Sequence, residues 1–164
     1  MRATVLVRDA TTADHAAVHA LNNAHTPHVN AVTDEEFAWL VANAGYFRVA
    51  EDELGLAGFV LCLPSGTDYW SGNYKWFSER YSDFLYLDRV VVAQRTRRGG
   101  VGRALYDDLH ATVAGKWMRV GLEVNLRPPN PISMAFHEAL GYRPIGVREY
   151  DEGTKAVQMF ERPL

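Results

Sequence analysis

Leu85-Tyr86-Leu87-Asp88-Arg89-Val90-Val91-Val92-Ala93-Gln94-Arg95-Thr96-Arg97-Arg98-Gly99-Gly100-Val101-Gly102-Arg103-Ala104-Leu105 is the stretch on which the reading of this chain turns. Its opening run, apolar and β-branched, has the composition of a buried strand. A basic, glycine-rich turn follows and leads into a helix with apolar residues at helical spacing. Glycines let main-chain N–H groups come close to a ligand. Successive N–H groups at a helix start form a nest for anions. Arg95, Arg97, Arg98 and Arg103 add charge suited to phosphate oxygens. The stretch reads as a strand–turn–helix site for a ligand bearing a diphosphate.

Working outward, Thr4 to Arg8 reads as a first strand and residues 13–23 as a helix. The loop Asn22 to Asn30 is polar and broken by Pro27. Thr33 and Glu36 have capping-box spacing and start a second helix that Gly45 stops. Residues 46–50 and 56–63 read as a hairpin. The connection 64–83 is long and ring-rich, with a short helix expected at 74–80. Beyond the opening stretch (strand 84–92, helix 100–114) come a strand at 118–124, a helix at 132–140 ended by Gly141, and a closing hairpin at 142–149 and 156–161. The strand at 118–124 follows its predecessor through a helix, so the two should be parallel in a right-handed crossover. The order β-α-α-β-β-β-α-β-α-β-β describes an α+β domain over 1–164, its sheet mixed and mostly antiparallel with one parallel pair.

Composition narrows the function. A formal charge of −3 over 164 residues argues against a nucleic-acid partner, which needs a positive surface. No window approaches a membrane span, and the apolar part of the N-terminus is short for a signal peptide, so the default expectation is a cytoplasmic protein away from membranes. The single cysteine, Cys62, lies in a strand-like run and rules out an internal disulfide. His25 and His28 sit on the proline-containing loop with no third ligand nearby, so no metal is expected.

Among nucleotide modes, a P-loop would need lysine and a hydroxyl residue where the chain has Gly102-Arg103. A dinucleotide fingerprint would need glycine or alanine where Leu105 stands, although Glu123 falls near the place of a ribose-binding acid. What Arg97-Arg98-Gly99-Gly100-Val101-Gly102 does resemble is the Q/R-x-x-G-x-G/A pyrophosphate motif of the GNAT acyl-CoA-dependent N-acetyltransferases. Downstream, Asn130-Pro131-Ile132-Ser133-Met134-Ala135-Phe136-His137-Glu138-Ala139-Leu140-Gly141-Tyr142 resembles that superfamily's N-x-x-A/S-x-x-F-Y-x-x-L-G-F segment. The likeness is good over about residues 84–145 and rests on element order before them.

The resemblance implies a GNAT-like sheet whose parallel pair is splayed around the acyl-pantetheine arm of acetyl-CoA. It places backbone bonds to that arm, and an oxyanion-type N–H, at Val90, Val91 and Val92. It gives the pyrophosphate to Arg97, Arg98, Gly99, Gly100, Val101, Gly102 and Arg103, and cofactor contacts to Asn130, Ser133 and Phe136. Read without the family, Val90 to Val92 are core strand residues and Asn130 is a helix cap. His137 stands where many members carry a tyrosine that protonates the departing thiolate. A histidine, with a pKa of about 6.5 against about 8.5 for a thiol, is able to do this if charged. A packed helix histidine is the plainer reading.

Two acids compete to be the base that takes the amine's proton. Glu123 sits in Leu122-Glu123-Val124, which is similar to the L-E-V of family members that acetylate protein N-termini, and Asp88 precedes the expected bulge. For each, a structural salt bridge is the alternative. The resemblance also puts the acceptor near Asn22, Asn23, His25 and Asn30, or under the aromatic connection 69–81, whose other reading is packing on a sheet edge or on a second copy in a homodimer. The function expected is acetyl transfer from acetyl-CoA to a primary amine by direct attack in a ternary complex. A GNAT-fold acyl-CoA-binding module with little transferase activity is the other class.

Overall fold

The computed structural model describes residues 4–26 and 28–164; Pro27, expected to break the first loop, lies outside them. Among the described residues there are seven strands and five α-helices. The chain falls into two compact units, one built from the residues up to Leu63 with Leu87–Ala114, the other from Pro64–Tyr86 with Gly115–Leu164.

The first unit contains β1 (Leu6–Asp9), a 3-10 turn at Thr12–Asp14, α1 (His15–Asn23), α2 (Asp34–Asn43), β2 (Tyr46–Asp52), β3 (Gly55–Pro64, to Leu63), the larger part of β4 (Leu85–Val92) and α4 (Val101–Val113). Its strand order is β1-β2-β3-β4. The predicted capping box is present: Thr33 N–H donates to Glu36 Oε1 at 3.0 Å and Glu36 N–H to Thr33 Oγ1 at 3.1 Å. That reciprocal pair satisfies two N–H groups that the start of α2 would otherwise leave orphaned. On α4, Val101, Leu105, Tyr106, Leu109 and Val113 form the buried stripe that the helical spacing required. Cys62 is fully buried on β3, and burial pushes its thiol pKa well up, so it behaves as a small apolar residue.

The second unit contains α3 (Gly72–Ser78), the start of β4, β5 (Arg119–Arg127), α5 (Pro131–Ala139), β6 (Arg143–Tyr150) and β7 (Lys155–Pro163), in strand order β4-β5-β7-β6. The expected parallel pair is seen at Leu85↔Val120 and Tyr86↔Gly121; β5–β7 and β6–β7 are antiparallel. Buried Glu161 of β7 ties three strands, taking Arg119 Nε of β5 at 3.1 Å and Arg143 Nη2 of β6 at 2.8 Å. The fold is therefore the mixed, mostly antiparallel α+β arrangement with one parallel pair.

The aromatic connection is a second core. Tyr69, Tyr74, Trp76, Phe77, Phe84 and Tyr86 are all buried, while Trp70 is 52% exposed. The short helix starts two residues before the expected place because Ser71 caps it, its hydroxyl accepting from Tyr74 N–H. The helix lies on the sheet through two glycines. A Cβ on Gly121 of β5 would sit 2.6 Å from the Phe77 ring, and one on Gly146 of β6 would sit 2.6 Å from the Trp76 ring. No helix among the described residues is long and apolar enough to cross a membrane.

Candidate active site

The glycine turn is exposed and its local conformation is unusual. Arg98 and Gly100 both take left-handed φ, at 67° and 86°. For Arg98 this conformation is strained, whereas Gly100 adopts it without a Cβ penalty. Gly100 is the N-cap of α4, so the N–H groups of Val101, Gly102 and Arg103 begin a helix with no intrahelical acceptor. The aligned dipoles of α4 add partial positive charge at the same place. Arg95 is not part of this nest. Its guanidinium forks onto Asp52 at 2.8 and 3.0 Å and reaches Leu56 O at 2.9 Å, pinning the turn to the β2–β3 hairpin. Arg103 pairs with Asp107 one helical turn on. Among the described residues no ion pair engages Arg97 or Arg98, and both are exposed.

Asp88 and Arg89, midway along β4, form a buried pair. Arg89 Nε donates to Asp88 Oδ2 at 2.8 Å, and the two side chains are 4% and 5% exposed. The same guanidinium donates to Asn22 Oδ1 and Asn30 Oδ1, each at 3.0 Å. Asn22 is fully buried and its amide also bonds Asn23 Oδ1 and Asn30 O. Asn23 in turn bridges Val32, while His25 Nδ1 meets Leu21 O at 2.8 Å. Of the residues expected from the resemblance to contact an acceptor, Asn22, Asn23 and Asn30 form a polar clasp that holds the α1–α2 loop to β4, while His25 bonds back to α1. The Asp88 carboxylate is committed to this buried ion pair.

Glu123 is in a different setting. It is half-buried on β5, with the Tyr86 O–H donating to its two oxygens at 2.7 and 2.8 Å and Asn73 Nδ2 donating at 2.9 Å. Asn73 Oδ1 takes Arg148 Nη1 at 2.9 Å. These two donors to Glu123, a phenol and an amide, are neutral. Tyr86, Asn73 and Arg148 were absent from the sequence-based site. Only the pairing Tyr86↔Gly121, two residues from Glu123 and on the same face of β5, would have pointed to the tyrosine.

On α5, Asn130 is the N-cap, its Oδ1 accepting from Ser133 N–H at 3.2 Å. Pro131 at the first helical position supports that start. The cap uses the oxygen of Asn130, and the residue is exposed. A depression of about 430 Å³ borders this end of the helix, lined by Asn125, Asn130, Met134 and Glu138 among others. Phe136 is half-buried and sits 5.4 Å from the His137 ring.

His137 is buried, 7% exposed, with Tyr142 and Phe160 at ring distances of 5.6 and 6.4 Å. Its Nδ1 lies 2.7 Å from Ser133 O, an acceptor only, so Nδ1 carries the proton and Nε2 of the neutral ring has none. Burial lowers its pKa from 6.5, outweighing the Ser133 hydrogen bond that raises it. The lowered pKa opposes the expected acid role, which needs the charged ring. The lowered pKa also has a stability consequence. The unfolded chain takes up a proton at this residue as pH falls through 6.5, while the folded one resists. The stability is complete above 6.5 and is lost below it. In urea melts from pH 7 down to about 5.5, His137→Phe should show a shallower loss of stability than the wild type.

Among the described residues no group of three or more His, Cys, Asp or Glu side chains is placed to hold a metal ion. The family model described as Acetyltransferase (GNAT) family matches residues 14–142. No curated protein sequence matches the chain. Among solved structures, the ribosomal-protein-S18-alanine N-acetyltransferase from Escherichia coli is 18% identical with a TM-score of 0.73, over 98% of this chain and 94% of that one. Naa20 of Chaetomium thermophilum, bound to a bisubstrate analogue, is 24% identical at 0.74, over 97% and 86% of the two chains. NAA60 of Arabidopsis thaliana with acetyl-CoA is 16% identical at 0.76, over 98% and 100%. At these identities the neighbours establish the fold.

Proposed function

The chain belongs to the GNAT acetyltransferase family, and on that premise we propose that it transfers acetyl from acetyl-CoA to a primary amine by direct attack, with a polypeptide α-amine as the favoured acceptor. The observation that carries the acceptor class is the Glu123 carboxylate, held by the hydroxyl of Tyr86 and the amide of Asn73. An α-amine, whose pKa of about 7.7–8.0 already leaves a share neutral, asks less of a carboxylate base than a lysine at about 10.4. The Escherichia coli neighbour, a ribosomal-protein-S18-alanine N-acetyltransferase, accords with an amine on a polypeptide.

Roles follow for the chain's own groups. The N–H groups from Arg98 to Arg103 and the guanidinium groups of Arg97 and Arg98 hold the pyrophosphate. Backbone N–H and C=O groups of Val90 to Val92 bond the pantetheine arm, and one N–H polarises the thioester carbonyl. Asn130, Ser133 and Phe136, at the start and along the length of α5, contact the donor. Glu123, through water or directly, takes the proton the amine nitrogen loses as the new C–N bond forms and the C–S bond breaks. The departing thiolate, whose thiol form has a pKa of about 8.5, takes its proton from solvent rather than from His137. His137 serves instead to pack α5.

An acceptor panel tests the reading. Peptides with a free N-terminus, N-blocked peptides containing lysine, and small amines are each mixed with acetyl-CoA and the enzyme, and free thiol is followed. Release with free-N-terminal peptides is expected. Release with blocked lysine peptides or small amines alone would contradict the acceptor assignment. The donor site has its own test in Gly100→Val. A β-branched residue at φ 86° costs about 1–3 kcal/mol and pulls the turn from its form, so acetyl-CoA affinity by calorimetry should fall about 10- to 100-fold.

A further inference from the structure

The helix α3 is keyed to the second unit's sheet in a register that reaches beyond packing. Asn73, Trp76 and Phe77 lie at i, i+3 and i+4 and so share one face of the helix. Phe77 occupies the place where Gly121 of β5 lacks a side chain, and Trp76 the corresponding place at Gly146 of β6. Two residues further along each strand, on the same faces, stand Glu123 and Arg148. Asn73 bonds both, donating to Glu123 Oε1 at 2.9 Å and accepting from Arg148 Nη1 at 2.9 Å. A third glycine completes the fit, since a Cβ on Gly72 would collide with the Arg148 guanidinium.

This arrangement removes the freedom of the amide. A guanidinium only donates, so Asn73 must turn Oδ1 toward Arg148 and Nδ2 toward Glu123. The arginine therefore determines which end of Asn73 the carboxylate meets. We propose that α3 is a positioning device for Glu123, with Asn73 as the positioning residue and Arg148 as the group that orients it. The proposal rests on Glu123 being the base. Of the ionisable groups on the surrounding elements, Tyr86 of β4 bonds the carboxylate directly and Arg148 of β6 acts through Asn73. On β7 the residue opposite is Met159, which carries no charge.

The test is the pH dependence of kcat and KM for acetyl transfer by the full chain, in wild type, Asn73→Ala, Asn73→Asp and Glu123→Gln. Losing the amide donor destabilises the charged carboxylate, so the acid limb of kcat/KM should move to higher pH in Asn73→Ala. It should move further in Asn73→Asp, which sets a second carboxylate beside the first and is close enough in shape to fold if the alanine variant does not. At neutral pH kcat should drop about tenfold from misplacement of the carboxylate, with KM for acetyl-CoA unchanged. A helix that merely packs would lower thermal stability and leave the acid limb where it is. An unmoved limb in both Asn73 variants, with Glu123→Gln inactive, overturns the positioning role and leaves the base standing. Wild-type rates and pH profile in Glu123→Gln overturn the base, and the role of α3 with it.

Discussion

Glu123→Gln is expected to lower kcat/KM at neutral pH by about 100-fold or more, the usual contribution of a positioned base, while acetyl-CoA affinity stays at the wild-type level. Glutamine keeps the length of the side chain and still accepts from Tyr86, but it cannot take a proton. Part of the rate should return at high pH with an α-amine acceptor, because a larger share of the amine is then already neutral. Asp88→Asn makes the contrast. Its carboxylate lies in a buried pair with Arg89 rather than among neutral donors, so that variant should lose stability first. Initial rates across pH, together with acetyl-CoA calorimetry on both variants, check the pair.

Arg89→Ala should cost the most stability of any single change considered. The guanidinium satisfies Asp88, Asn22 and Asn30 at once. Removing it strips the 5%-exposed Asp88 side chain of this cation and the fully buried Asn22 of this donor. Breaking a buried ion pair from one side costs about 3–5 kcal/mol. At about 2–4 °C per kcal/mol for a domain of this size, the melting temperature should fall by about 10 °C. Arg89→Lys should recover only part of the loss, since a single ammonium cannot span three acceptors with the geometry of the fork. Thermal melts of the three proteins measure it.

These two residues also show what was legible in the sequence. The strand, glycine turn and helix at 85–113 could be read because every signal there is local: a β-branched run, glycines where the backbone turns left-handed, and a helical stripe after them. The capping pair Thr33–Glu36 and the cap at Asn130 are equally local. The pairing of Arg89 with its sequence neighbour Asp88 is local, but its other partners Asn22 and Asn30 are 67 and 59 residues away and carry no local signal. Asn73 and Arg148 were invisible for the same reason, being 75 residues apart and linked to Glu123 only through the folded sheet. The acid role expected of His137 rests on its position in a motif. Its chemistry depends on burial and on the Ser133 carbonyl, and motif spacing carries neither.

The central claim is direct acetyl transfer from acetyl-CoA to an amine. Acetyl-CoA labelled in its acetyl group, incubated with the enzyme with and without a peptide bearing a free N-terminus, tests it most directly. The account predicts one labelled acetyl group on the peptide α-amine for each free thiol released, and no label on the enzyme when the peptide is omitted. Label on the enzyme without acceptor, or binding of acetyl-CoA with no transfer to any amine, would contradict it.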